Sequence, residues 1–256
     1  MEALLKIIIM RVCLVFNAVG DVILPIHYNH LVQAMIYKNI SKDLADFLHD
    51  RGFLLGKRRF KLFTFSRLNG RFTIDGAKGR ITYHGDLSLQ ISSPIERFVA
   101  DITNSIMKRG SIILGGNKLT VKEMAFPASF EARGEKVTIR MLSPLTVYST
   151  LMTPDGRKKT YYYSPYEKEF SELVSINAKK KHFLLTGRVL KSGIKISPLK
   201  VKEVVVIYKG NVVKGWMGTF ALKGPLSLIK TVYEAGLGAK NPQGFGMFEV
   251  VECSSR

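Results

Sequence analysis

The chain has 256 residues, enough for one large domain or two of ordinary size. Hydrophobic residues make up 46% and charged residues 23%, a globular mixture that excludes a disordered tail. Lysine and arginine number 39 against 20 aspartates and glutamates, so the net charge is +19. This excess favours a nucleic-acid partner, while a membrane surface, an acidic partner or no polyanion at all stay open.

The two cysteines, Cys13 and Cys253, exclude a disulfide framework and a cysteine-rich zinc module, so we expect a cytoplasmic protein. An apolar run near the N-terminus carries Lys6 and Arg11 and is shorter than the ~20 apolar residues of a membrane helix. It also lacks the basic start and cleavage site of a signal peptide. We therefore expect a buried strand at Leu5–Asn17 and no membrane contact. No His, Cys, Asp or Glu cluster has metal-ligand spacing, which predicts no metal and no cofactor.

In the first half, apolar spacing and turn residues predict two helices between a first strand and a group of later strands. Ser41 is a plausible N-cap for the second helix, and Ser93-Pro94 opens a third. After the strand Leu5–Asn17, the predicted elements are helices His27–Ile40 and Lys42–His49, strand Phe60–Phe65, a turn at Asn69-Gly70, a hairpin of Arg80–His84 and Leu87–Ser92 around Gly85-Asp86, helix Ile95–Lys108, and strands Ile112–Leu114 and Lys118–Phe126.

The second half restarts the same pattern near Pro127. Its predicted elements are strands Lys136–Met141 and Thr146–Leu151, helix Tyr166–Ala178, strands Lys200–Tyr208 and Val212–Leu222, helix Pro225–Ala235 and strand Met247–Val251. Each half therefore has the order β-α-β-β-α-β of the ferredoxin-like unit. The prediction is an α+β fold of two tandem ferredoxin-like (RRM-like) domains, at 1–126 and 127–256. RNA-recognition modules share this fold, although a fold alone does not establish a function.

A glycine-rich loop, Gly236–Gly246, lies between the last helix and the last strand and contains four glycines in eleven residues. Glycine reaches positive φ, and exposed amides in such a loop can cradle phosphates. Its lysine precedes Asn-Pro, which excludes a Walker loop, and its helix-to-strand order excludes the dinucleotide fingerprint. A long tight connection is the alternative. The loop residues expected to contact RNA are Gly236, Gly238, Lys240, Asn241, Gln243, Gly244 and Gly246.

The full string, with its Gly-Leu-Gly, Lys240 and Gly-Phe-Gly, resembles the C-terminal motif of the repeat-associated RNA-binding superfamily of CRISPR systems. It is most similar to the family that cuts CRISPR-repeat transcripts into guide RNAs. Further similarity covers both halves, at Pro25–His30, Phe60–Ser66, Leu142–Pro144 and Glu167–Phe170. The resemblance implies two ferredoxin-like domains and an endoribonuclease (a hydrolase-class nuclease of antiviral defense) that binds CRISPR repeat RNA and cuts it without metal. The expected products carry 2′,3′-cyclic phosphate and 5′-OH ends.

The family places a tyrosine late in the first helix, a histidine after it and a lysine at the next strand. By resemblance these are Tyr37, His49 and Lys61. Attack of the 2′-OH on the next phosphate needs a base, an acid and a cation, and histidine is suited to proton transfer near neutral pH. We expect His49 as general acid or base, Tyr37 as its partner and Lys61 as charge stabiliser. Packing of Tyr37, capping of the short helix by His49 and a plain phosphate contact by Lys61 are the alternatives.

Basic clusters extend the expected RNA surface. The predicted contacts are Lys57, Arg58 and Arg59 beside Lys61, and Arg157, Lys158 and Lys159 before the Tyr161–Tyr163 run. Lys179–Lys181 forms a further cluster, and solvated turns or helix ends are the alternative for each. A non-cleaving repeat-RNA-binding subunit and a generic tandem RNA-recognition protein stay as alternative functions. A homodimer and contacts with other CRISPR effector subunits are left open.

Overall fold

The computed structural model describes residues 10–127, 130 and 135–251 of the chain. It contains two α+β units that follow each other along the chain, each built on an antiparallel sheet. Each unit has a hydrophobic core cluster of its own. The predicted fold class of two ferredoxin-like units is confirmed. Within the described residues, no helix is long and apolar enough to cross a membrane.

The first unit carries most of the short elements. They are β1 (Arg11–Ala18), β2 (Val22–Pro25), α1 (Asn29–Lys38), α2 (Lys42–Asp46), a π-helical turn (Phe47–Arg51), β3 (Phe53–Leu55), β4 (Arg58–Phe60), β5 (Thr64–Phe65), β6 (Asn69–Asp75), β7 (Arg80–Ser92), α3 (Glu96–Arg109), β8 (Ser111–Leu114) and β9 (Asn117–Ala125). The predicted first strand is present from Arg11 on, and its Leu5–Ile9 part lies outside the described residues.

The long strand β7 organises the first sheet. β1 and β2 pair in succession along one of its edges, and β5 and β6 pair along the other. β9 pairs with the far side of β1, and β8 closes the edge. Alternate residues of β1, Val12, Leu14 and Phe16, are fully buried in one cluster with Ile36 of α1 and Ile102 of α3. This alternation is what a half-buried strand requires, with both helices covering the buried face.

The second unit has longer strands and an added hairpin. Its elements are β10 (Lys136–Met141), β11 (Tyr148–Met152), β12 (Lys158–Tyr162), α4 (Lys168–Thr186), β13 (Lys195–Tyr208), β14 (Asn211–Lys223), α5 (Leu226–Ala235), a 3₁₀ turn (Asn241–Gln243) and β15 (Phe248–Val251). The sheet order is β13-β14-β10-β15, and β11 pairs with β12 as a separate ribbon. Along the chain, this ribbon lies between the first strand and the first helix of the unit.

Two predicted turns of the first unit are wrong. β7 runs unbroken through Gly85-Asp86, where the neighbouring edge passes from β1 to β2. Gly85 has φ +77°, so this glycine permits a local irregularity inside the strand and does not form a hairpin turn. Asn69-Gly70 begins β6 instead of a turn, and a Cβ on Gly70 would lie 2.8 Å from the carbonyl oxygen of Asp86. Glycine permits that close approach of two strands.

Two further elements differ from their predicted bounds. The predicted strand Phe60–Phe65 is interrupted because Leu62 takes φ +51° between β4 and β5. The helix expected to end at Ala178 continues to Thr186, so Lys179–Lys181 is not a helix end. Lys181 lies on the buried face of α4, where apolar periodicity gives no signal for a charged residue.

Candidate active site and the cleft between the two units

The structure brings Tyr37, His49 and Lys61 together from three different elements. Tyr37 lies on α1, His49 on the π-helical turn, and Lys61 directly after β4. The rings of Tyr37 and His49 meet edge to face with centroids 6.4 Å apart. The Lys61 Nζ lies 5.6 Å from the centroid of the Tyr37 ring. Tyr37 is thus the common neighbour of a histidine and a lysine, the constellation that the sequence predicts.

Tyr37 combines a packed ring with an unsatisfied hydroxyl. Its ring packs edge to face on Phe63 at 6.0 Å, so the packing alternative describes part of its role. Its Oη is buried and has no hydrogen-bond partner in the described part of the chain. Burial, with a smaller contribution from Tyr208, raises the pKa of the Tyr37 hydroxyl above its ordinary value. The hydroxyl therefore stays protonated at neutral pH and can act as a hydrogen-bond donor.

His49 is held by its backbone rather than by packing of its ring. The π-helical turn ends at Gly52, whose N–H donates to the Phe47 carbonyl at 2.7 Å and whose φ is +61°. Leu48 anchors the turn in the core, and the next residue faces outward with a side chain 76% exposed. Its Nδ1 lies 2.7 Å from Oδ1 of Asp50, and Nε2 makes no hydrogen bond within the described residues. That nitrogen is open to a substrate approaching from solvent.

Lys61 stands where the two units meet. Burial is the largest cause of a lowered pKa at Lys61; Asp50 raises this pKa and Lys209 lowers it. Lys209 follows the end of β13, so the turn between β13 and β14 brings positive charge towards this lysine. Lys61 also lines a cleft of about 500 Å³ between the units. A cation at this position can serve both the trio and a ligand in the cleft.

The charged side chains that line the cleft are all basic. Its walls are Gln33, Arg58, Arg59, Phe60, Lys61, Leu62, Tyr148, Thr150, Asn177, Lys181, Ala239, Lys240, Asn241, Pro242 and Gln243. Lys240 places Nζ 4.9 Å from the centroid of the Tyr148 ring, and burial lowers the pKa of its ammonium group. Arg58 and Arg59 are exposed, as is Lys57 beside them. Such a concave surface of one charge sign concentrates polyanions.

Most of the glycine-rich loop is buried and does not expose its amides as predicted. Gly236, Gly238, Asn241, Gly244 and Gly246 are buried, while Lys240 and Gln243 are partly accessible. Five amides of the loop donate inside the protein, namely those of Leu237, Ala239, Gln243, Gly244 and Gly246. The structure therefore gives no support to an exposed phosphate cradle, and RNA contact by the five buried residues stays a prediction. Lys240 and Gln243 remain candidates because they face the cleft.

The glycines are needed for close packing between the units. A Cβ on Gly246 would lie 1.9 Å from the Leu237 carbonyl oxygen, and one on Gly244 would lie 2.5 Å from Cε2 of Phe65. Both glycines have positive φ, +80° and +83°. Phe65 belongs to the first unit, so Gly244 makes room for an interdomain contact. This agrees with the long tight connection that was the alternative for this segment.

A buried lysine fastens the loop from the second unit. Lys181 Nζ donates to the carbonyl oxygens of Gly236 at 2.6 Å and Gly238 at 3.0 Å, and to Oδ1 of Asn241 at 2.6 Å. Its three protons thus have three acceptors. Burial lowers the pKa of Lys181 to about 7. The sequence offered no signal for this residue beyond its membership of a lysine run.

Side chains of α1 fasten the loop from the first unit. Asn29 Nδ2 donates to the Gln243 carbonyl at 2.8 Å, and Gln33 Nε2 donates to the Pro242 carbonyl at 2.5 Å. Thr64 Oγ1 donates to the Phe245 carbonyl at 2.9 Å. The loop therefore connects the second unit to the helix that carries Tyr37. Sequence reasoning missed Asn29 and Gln33 because amides on a helix face resemble ordinary surface residues.

The remaining predicted basic cluster lies on the β11–β12 ribbon. Arg157 pairs with Asp155 at 2.5 Å, and Lys158 and Lys159 are exposed at the start of β12. Three histidines outside the trio have partners: His30 with the His27 carbonyl at 3.1 Å, His84 with Asp21 at 2.9 Å, and His182 with Thr231 at 2.9 Å. The described residues contain no group of three or more His, Cys, Asp or Glu side chains that could hold a metal ion.

Comparison with known proteins identifies the family. The Cas6 N-terminal family model matches residues 23–125, and the Cas6 C-terminal family model matches residues 126–250. "CRISPR-associated endoribonuclease Cas6 1" of Methanocaldococcus jannaschii is 27% identical over 250 residues, covering 95% of this chain and 93% of that protein. The solved structure "CRISPR associated protein Cas6" is 26% identical with a TM-score of 0.78, covering 95% of this chain and 99% of the other.

A second solved structure, of a Cas6-related protein from Pyrococcus furiosus, superimposes with a TM-score of 0.82. It is 23% identical and covers 95% of this chain and 98% of the other, which supports the fold. The family models together span the trio, the cleft and the glycine-rich loop. The chain therefore belongs to the CRISPR-associated Cas6 family.

Proposed function

We propose that this protein binds CRISPR repeat transcripts and cleaves them without a metal ion, using Tyr37, His49 and Lys61, to give guide RNAs. The enzyme class follows from the family, since the chain is an endoribonuclease like its relatives named Cas6. The substrate, the mechanism and the product ends are the proposal. One observation carries it: three side chains suited to RNA cleavage converge where a basic cleft begins.

The chemistry uses a nucleophile that RNA itself provides. A 2′-OH attacks the adjacent phosphorus and forms the P–O bond of a 2′,3′-cyclic phosphate. The bond to the 5′-oxygen breaks, and that oxygen leaves as a 5′-OH after gaining a proton. The protein has to remove one proton, supply another and offset the charge that develops on the phosphorane oxygens.

We divide these tasks among the three side chains according to their positions. His49 has a solvent-facing ring nitrogen, and we assign it proton transfer to or from the reacting oxygens. Tyr37 keeps its proton because its pKa is raised, so we assign it donation of a hydrogen bond. Lys61 is the cation beside Tyr37, and we assign it stabilisation of the phosphorane charge. General acid–base catalysis of this kind contributes roughly 10²- to 10⁴-fold in rate.

The cleft offers a path for the rest of the RNA. We assign backbone contacts to the accessible basic residues Lys57, Arg58, Arg59 and Lys240, with Arg157, Lys158 and Lys159 as an outer contact on the ribbon. Contacts of cations with phosphates depend strongly on salt. Affinity for repeat RNA is therefore expected to fall steeply as the salt concentration rises.

Incubation with end-labelled repeat RNA in EDTA tests the proposal. Wild-type protein should cut at one site, and the downstream fragment should accept a phosphate from polynucleotide kinase because its 5′ end is a hydroxyl. His49→Ala should abolish cutting. His84→Ala serves as the control, because His84 lies on β7 and pairs with Asp21 just before β2. Loss of cutting in EDTA, or full activity of His49→Ala, would remove this mechanism.

A repeat-binding protein that does not cut is the second candidate. The burial of the Tyr37 hydroxyl favours it, because a group with no accessible surface cannot touch RNA until the site rearranges. This candidate predicts tight, salt-sensitive binding of repeat RNA without scission. The same incubation, followed by native and denaturing gels, distinguishes the two.

A further inference from the structure

The cleft contains four side-chain amides, and they fall into two classes. Gln33, Asn177, Asn241 and Gln243 all line it. An amide that holds the fold should have its oxygen and nitrogen engaged by protein partners. An amide that serves a ligand should have an oxygen or nitrogen left over.

Gln33 and Asn241 belong to the first class. The oxygen of Gln33 accepts from the Tyr208 hydroxyl, and its nitrogen donates to Pro242. The oxygen of Asn241 accepts from Lys181, and its nitrogen donates to the loop backbone at 3.0 Å. The oxygens and nitrogens of these two amides are thus bonded within the protein, where they connect the glycine-rich loop to its surroundings.

Asn177 and Gln243 belong to the second class. Asn177 Oδ1 and Gln243 Oε1 are buried, and each lacks a hydrogen-bond partner among the residues that the structure describes. Burying an acceptor oxygen without a donor is unfavourable. The terminal torsions of both side chains are soft, so either oxygen can turn towards a donor that enters the cleft.

We propose that Asn177 and Gln243 form a base-reading pair that selects an amino-bearing nucleobase over uracil in the bound RNA. Two acceptor oxygens require two N–H donors. Adenine and cytosine offer two from their exocyclic amines, and guanine offers its imino and amino groups. Uracil has a single N–H, so it can satisfy only one of the two acceptor oxygens. This inference rests on the proposed RNA function and deepens it by naming what the cleft recognises.

The surroundings of the pair fit a nucleotide. Arg58, Lys61 and Lys240 supply cations for the phosphates on either side of a base. The volume of about 500 Å³ lies in the range of small-molecule sites. Sequence-specific RNA recognition generally targets unstacked bases through hydrogen bonds to their edges.

Binding of matched pyrimidine oligonucleotides tests the proposal. Fluorescence anisotropy with labelled oligo-cytidine and oligo-uridine of about six nucleotides compares bases of equal size. Wild type should bind oligo-cytidine at least about fivefold tighter than oligo-uridine. Asn177→Leu and Gln243→Met should each bring this ratio to within about twofold by weakening the cytidine complex.

Two controls separate base reading from other effects. Arg58→Ala should weaken both complexes equally and keep the ratio, because it removes a phosphate contact. Asn104→Leu, an exposed amide on α3, should leave both affinities unchanged. Loss of folding is not expected in either test variant, since each replaces an unsatisfied amide with an apolar group of similar size.

The outcomes distinguish this inference from the proposed function. A wild-type ratio of one, or a ratio that both test variants preserve, overturns the base-reading pair while repeat binding stands. Failure of wild type to bind any RNA, the repeat transcript included, would instead overturn the proposed function.

Discussion

The trio around Tyr37 and the glycine-rich loop Gly236–Gly246 show opposite ways of holding functional residues. The loop is buried, and its conformation is fixed by Lys181, Asn241 and close backbone contacts. The trio has an exposed histidine and a hydroxyl without a protein partner among the described residues. The segment with the clearest sequence pattern is thus a connection between the two units, and the proposed chemistry lies where the sequence pattern is weakest.

Removing His49 should sharpen this comparison most. His49→Ala is expected to lower the cleavage rate by about 10²- to 10⁴-fold. The side chain is 76% exposed and its ring meets Tyr37 only edge to face, so the free energy of unfolding should change by no more than about 0.5 kcal/mol. Single-turnover cleavage and urea unfolding give the two numbers. A large loss of stability would show that His49, like the glycine-rich loop, stabilises the fold.

Filling the loop should give the reverse result. Gly246→Ala forces an alanine into a positive-φ conformation and places its methyl group against the Leu237 carbonyl. We therefore expect a loss of at least about 4 kcal/mol of stability. Gly210→Ala is the matched control, because Gly210 also has positive φ but open space around it, and it should cost about 1–2 kcal/mol. Equal losses in thermal unfolding would show that packing around Gly246 is dispensable.

Removing the buried ammonium tests this connection from its other side. Lys181→Met leaves two carbonyl oxygens and Asn241 Oδ1 without a donor, and should cost about 2–3 kcal/mol. Lys168→Met, on the exposed side of α4 with only a 3.8 Å ion pair to Glu172, should cost about 0.5 kcal/mol. Denaturant unfolding of both variants gives the comparison, and similar losses would contradict it.

The pH dependence of stability follows from the same lysine. Burial lowers the pKa of Lys181 to about 7 in the folded protein, below the unfolded value of about 10.4. Between these values the unfolded chain binds more protons, so wild-type stability should rise with pH relative to Lys181→Met. The slope is at most about 1.4 kcal/mol per pH unit. A flat difference from pH 7 to 10 would mean that the three acceptors retain the proton.

The smallest expected effect belongs to the Tyr37 hydroxyl. Tyr37→Phe removes a buried donor that has no protein partner in the described part of the chain, so the protein should gain about 1 kcal/mol. Cleavage should slow by about tenfold if the hydroxyl donates to the substrate. A variant that is more stable but cleaves more slowly would show that the Tyr37 hydroxyl serves the reaction rather than the fold. A variant that is both less stable and fully active would return Tyr37 to a packing role.

Regular patterns in the sequence were sufficient for the fold. Alternation in β1 and the repeated order of elements predict two ferredoxin-like units. Turn residues were less informative, because Gly85-Asp86 and Asn69-Gly70 serve strand irregularities that only the neighbouring strands require. Local chemistry cannot show which strand lies alongside.

For the site, resemblance located the trio, and the structure shows its members in proximity. The sequence could not show that the loop glycines are buried. A glycine needed for close packing and a glycine needed for close approach to a ligand give the same sequence pattern. The sequence also could not find Lys181 or the hydrogen bonds from Asn29 and Gln33, because these depend on contacts between distant segments. Asn177 gave no signal either, since its place in the cleft follows from how the two units pack. These residues have no local pattern of their own.

The hydrogen bonds from Asn29 and Gln33 to the loop have an evolutionary consequence. They tie the helix that carries Tyr37 to a segment more than 200 residues away. Recombination that exchanged one half for that of a distant relative would unite a helix and a loop that had never been selected together. The two halves are therefore expected to be inherited as a pair.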